Sequence, residues 1–125
     1  MVFAAYFFMG ISLIVIAFQI ALALGAPWGE FTMGGKISGI LPPLLRLAAF
    51  LQSLLILFFN VIVLSRAQLG FENLYTISRT AIWFVFGFFV LGSVMNLVTP
   101  SKKERMLWAP VNILLLVLSL LIALG

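Results

Sequence analysis

Four long apolar runs, residues 2–24, 43–64, 79–98 and 108–124, take up most of this chain, and short polar segments separate them. The only charges inside the runs are Arg46, near the start of the second, and Arg79 at the edge of the third. A hydrocarbon core about 30 Å thick is crossed by about 20 helical residues, and each run is close to that length. None alternates polar and apolar residues as a membrane-barrel strand does, and the stretch 113–118 is apolar on every side. The pattern predicts an all-α polytopic membrane protein, a four-transmembrane-helix bundle, with residues 1–125 forming one transmembrane domain.

Composition agrees with that solvent. With 65% hydrophobic and 8% charged residues, the chain has too little polar surface to cover a water-soluble globule. Seven basic side chains against three acidic ones give a net charge of +4. Most of the basic ones flank apolar runs, where they set topology and meet headgroups, so the charge implies membrane lipids and no nucleic acid. The absence of cysteine and histidine removes disulfides, thiolate nucleophiles and the commonest acid–base group and metal ligand. No metal-ligand set and no phosphate-binding loop is present, so no cofactor is expected. The serines have no base to activate them. The carboxylates Glu30, Glu72 and Glu104 fall in three different loops, and only Glu30 and Glu104 share a side. A lipid-modifying enzyme built on that pair is the weakest reading, and the chain is expected to be no enzyme.

The first run ends Ala21-Leu22-Ala23, which imitates a signal-peptide cleavage site. It lacks the basic n-region and outruns the usual apolar core of roughly 7–15 residues, so a retained helix is expected. Small residues Ala17, Ala21 and Gly25 recur four apart, and Ser12, Gln19 and Ala23 line another face, so either face suits close packing. Gly25-Ala26-Pro27 stops the helix. The loop that follows, 25–42, is rich in glycine and proline and carries Trp28, Glu30 and Lys36. Compact turns are expected, with Trp28 at headgroup depth, and the segment reads either as an interfacial turn or as a binding loop over the helix ends.

Pro43 opens the second helix, and Arg46, Ser53 and Asn60 follow at intervals of seven, which makes one face polar. Arg46 is near enough to the end to snorkel and anchor. Residues 99–107 read as a basic turn, and the fourth helix then carries Asn112, Ser119 and Ala123 along one stripe. Five basic residues, Lys36, Arg46, Lys102, Lys103 and Arg105, lie on the side of the first and third loops, against Arg66 and Arg79 on the other. The positive-inside rule then puts the first and third loops in the cytoplasm and both termini outside, with the small margin leaving dual orientation open.

By depth, Gln19, Gln52, Asn96 and Asn112 all fall in the half of the bundle beneath the first loop. Amides in lipid seek partners, so they are expected either to bond between helices or to line a polar pocket. Asn96 and Asn112, on consecutive helices, are expected to be near one another.

The stretch Gly25-Ala26-Pro27-Trp28-Gly29, with Gly34-Gly35, Leu41-Pro42-Pro43 and Arg46, resembles the signature of a family of small bacterial four-helix integral membrane proteins without assigned function. Leu91-Gly92, Asn96-Leu97, Ser101, Glu104-Arg105 and Trp108-Ala109-Pro110-Val111 agree with it, so the likeness runs nearly end to end. Met33 stands where members of that family commonly show tryptophan. The resemblance implies the fold and the bacterial inner membrane, and no activity. Small multidrug exporters share the helix count but use a carboxylate in the first helix, where this chain has none. Two functions fit: binding of a lipid, a membrane partner or a second copy through the first loop and the amide cluster, or a small oligomeric transporter or channel. Flux through liposomes separates them.

Overall fold

The computed structural model describes residues 1–125, and four long helices dominate it: α1 (Val2–Ala23), α2 (Pro43–Arg66), α3 (Tyr75–Val98) and α4 (Lys102–Leu124). Each is long and apolar enough to cross a membrane. They run up and down in chain order. α1 lies along α2 and α3 along α4, and these two hairpins join through α1 against α4 and α2 against α3.

The interior is held by shape rather than by sequestration from water, since lipid tails are as apolar as leucine. At mid-depth, Phe8 meets Phe89 edge-on, and Phe59 does the same to Phe88 and Phe89. The one side-chain to side-chain hydrogen bond between α1 and α2 runs from Ser12 Oγ to Asn60 Oδ1 at 3.0 Å, with both residues buried. That contact chooses between the two faces of α1: Ser12 and Gln19 point inward, while Ala17 faces out. Large side chains such as Phe3, Ile14, Leu44, Phe84 and Val98 are exposed around the outside, an apolar belt suited to a membrane. The chain is a multi-pass membrane protein.

Two helices begin earlier than the apolar runs suggest. α3 starts at Tyr75 rather than 79, after a 3₁₀ turn at Glu72–Leu74, so Arg79 is helical. α4 starts at Lys102 rather than 108, and what reads as a basic turn over 99–107 is mostly its first turns. Its N-cap is Ser101, whose Oγ accepts from the backbone N–H of Glu104 at 3.1 Å. Pro110, which a start at 108 would place in the first turn, lies inside the helix instead.

Arg46 makes a specific contact beyond the anchoring expected of it. Its Nε donates to the carbonyl of Ala23 at 2.9 Å, which caps the C-terminal end of α1 with a cation where the helix dipole favours one. The chain leaves α1 through Gly25 at φ +104, a conformation suited to glycine, beside the Arg46 guanidinium.

Candidate binding cavity

The loop between α1 and α2 folds over the bundle end. Two 3₁₀ turns, Gly29–Phe31 and Met33–Gly35, give it shape, and Gly29 N–H donates to Gly39 O at 2.9 Å to close it on itself. Three contacts then fasten it to the start of α4. Ser101 Oγ donates to Glu30 O at 2.8 Å, Gly34 N–H donates to Glu104 Oε2 at 2.9 Å, and Lys103 Nζ pairs with Glu30 Oε1 at 2.9 Å. Lys103 also lies 5.6 Å from the centre of the Phe31 ring. On the α1 side, Trp28 stacks on Phe18, which leans on Trp108.

Beneath this roof is a cavity of about 520 Å³, within the range of small-molecule sites. All four helices and the loop contribute walls. Gln19, Gln52, Asn96 and Asn112, the amides expected to share a depth, all line it. Asn96 and Asn112 meet at Gly92: Asn96 Nδ2 donates to Gly92 O at 2.8 Å, and the Asn112 amide lies 3.7 Å from where a Cβ on Gly92 would be. Of the two arrangements open to these amides from the sequence, they line a pocket and make no bond between helices. Asn96 bonds within its own helix, and none of the four reaches another helix. Gln19 is only 7% exposed, and its Oε1 has no hydrogen-bond partner.

Phe88 and Phe89 form the floor, where α2 and α3 meet through Phe59. From Phe88 to Val98 is ten residues along α3, so the cavity reaches about 15 Å, from the interface to the middle of the bundle. Gln52 of α2 and Leu91, Met95 and Val98 of α3 line it and are also exposed. The opening is therefore sideways, through the seam between the hairpins.

The other four residues singled out from the sequence do not line the cavity. Trp28 and Glu30 hold the roof down, Arg46 caps α1, and Lys36 is exposed. Glu104, which the sequence offers only as a partner for Glu30 in the weakest, enzymatic reading, lines the cavity as well. It is 9% exposed and lies next to Gly34. The signal for it was present: Ser101-Lys102-Lys103-Glu104 has the Ser-x-x-Glu spacing of a helix start, which places the acid in the first turn of α4 rather than in a solvated loop. Glu30 and Glu104 are each engaged with a different partner, Lys103 and the Gly34 amide, and they do not form a pair.

Comparison with protein-family models, curated proteins and solved structures finds no match to this chain.

Proposed function

We propose that this protein is a non-enzymatic component of the bacterial inner membrane that binds a lipid in the cavity between its hairpins. The first and third loops face the cytoplasm and both termini lie outside. One observation carries the reading: four amides and a carboxylate converge on a laterally open cavity, and one buried amide atom there is left without a partner. A buried polar atom without a partner costs about 1–3 kcal/mol, so the Gln19 oxygen beside the cavity favours an occupant that can donate to it, as a polar headgroup does. The aromatic floor and the exposed apolar rim suit acyl chains, and the amides above suit a headgroup. The cellular location rests on the basic-residue count and on the resemblance of the glycine and proline signature.

The test is to purify the protein in a mild detergent and identify the retained lipid by native mass spectrometry. The wild type is expected to hold lipid at about one per chain, and Gln19→Leu and Asn112→Leu to lose most of it while keeping the wild-type helical circular dichroism. The same lipid at the same occupancy in all three proteins would overturn the cavity as a binding site. Solute flux through liposomes at a rate set by protein content would favour a transporter instead.

A further inference from the structure

We infer that the lipid headgroup taken by this cavity carries a primary ammonium, as phosphatidylethanolamine does; the inference rests on the lipid-binding reading above and names its ligand class.

The argument starts from an unbalanced charge. Glu104 is a carboxylate, nearly fully buried, in the wall of a cavity inside a membrane protein. No lysine or arginine pairs with it, because the chain's one ion pair joins Lys103 to Glu30. The cations flanking it in sequence are otherwise engaged: Lys103 pairs with Glu30, and Arg105 Nη1 donates to Thr99 O at 3.0 Å. The Gly34 N–H and the N-terminal end of α4 relieve part of the charge. They bring no compensating cation, and a buried charge is kept when it is paired. A cationic ligand completes the pair.

The rest of the lining fits a small ammonium with three N–H donors. The amide oxygens of Gln19 and Asn96, near the same ends of α1 and α3, can accept from it, and Trp108, one turn along α4 from Glu104, offers a cation–π face. A quaternary choline cannot donate to these oxygens. Charge is also arranged in the order of a zwitterion. The acid is inside, while the exposed Lys36 and Lys102 lie outside, two residues from the cavity-lining Gly34 and Glu104 respectively. An ammonium directed inward toward Glu104 leaves the phosphate outward among lysines and the acyl chains leaving through the seam beside Leu91 and Met95.

The experiment is competitive native mass spectrometry on the intact protein, loaded with equal amounts of phosphatidylethanolamine, N-acetylated phosphatidylethanolamine, phosphatidylglycerol and phosphatidylcholine of matched chains. A charge-assisted pair predicts roughly tenfold or greater preference for the free amine over each of the others. Glu104→Gln keeps an acceptor for Gly34 N–H and removes the charge, so the preference should fall to about one. Glu72→Gln, which removes an exposed carboxylate at the other end of the bundle, should keep it. The N-acetylated lipid tests the same point on the wild type, whatever the stability of the variants. Equal retention of the four lipids by the wild type, or an undiminished preference in Glu104→Gln, would overturn the ammonium assignment while leaving a lipid site in place. Failure of the wild type to retain any lipid would instead overturn the binding reading itself. A long-chain alkylamine retained tenfold better than the ethanolamine lipid would assign the cavity to cationic amphiphiles and overturn the phospholipid.

Discussion

Gly35 lies against Ser101, the N-cap of α4, and replacing it with alanine tests whether the roof is a built contact. Its φ is +70, a conformation that costs an alanine about 1–2 kcal/mol. A Cβ there would lie 2.6 Å from Ser101 Cβ and 2.7 Å from Ser101 Oγ, so one of the two chains must shift. Ser101 cannot rotate away cheaply. Its hydroxyl caps α4 and also donates to Glu30 O, and hydrogen bonds of this kind contribute about 0.5–1.5 kcal/mol each. Gly35→Ala should therefore destabilise the protein by about 2–4 kcal/mol. Gly34→Ala is the internal control. It has a similar φ of +80 but nothing near its Cβ, so only the backbone term of about 1–2 kcal/mol applies. The assay is equilibrium unfolding in mixed detergent micelles followed by tryptophan fluorescence, because Trp28, stacked on Phe18, reports release of the loop. Two variants equal within about 0.5 kcal/mol would refute the argument, since the Ser101 contact would then contribute nothing.

Arg46→Ala should cost about 1.5–3 kcal/mol in the same assay by leaving the Ala23 carbonyl without its charged donor, and a wild-type unfolding midpoint would show that the cap contributes nothing. A double-mutant cycle of Ser12→Ala and Asn60→Leu should give a coupling of about 0.6–2 kcal/mol for their mid-bundle hydrogen bond, and strictly additive losses would contradict it. Alkaline phosphatase fused after Gly125 should be active, and a cysteine introduced at Lys36 should resist an impermeant thiol reagent added to whole cells; a silent fusion and a labelled loop would reverse the orientation.

The helices could be read from the sequence because spanning length and uninterrupted apolarity are local properties, which need no knowledge of what packs where. The shared depth of the four amides was legible for the same reason, since depth follows from counting residues along each run. Their partners were not. Depth does not give the rotation of a helix about its axis, and that rotation makes Gln19 an inward residue and leaves Gln52 at an exposed rim. The start of α4 was obscured because Lys102, Lys103 and Arg105 look like loop residues when apolarity is the criterion, whereas their helix begins at the interface, before the hydrocarbon does. The Ser-x-x-Glu spacing places Glu104 in the first turn of α4 but does not place it in a cavity. Its burial depends on Gly34, seventy positions earlier in the chain, and no local pattern links the two.

The seam between α2 and α3 changes what the site must achieve. A ligand entering sideways comes from the bilayer, where lipids are the solvent and are counted by mole fraction rather than by aqueous concentration. A bulk lipid is present at so high a fraction that even a weak site in contact with it is full. Tight binding then gains nothing. At equal mole fractions, occupancy by two headgroups divides in the ratio of their affinities, so discrimination is the property on which this geometry can act. Occupancy would accordingly follow membrane composition, and a cell that changed the proportion of one headgroup would change the state of this protein without synthesising or degrading any of it.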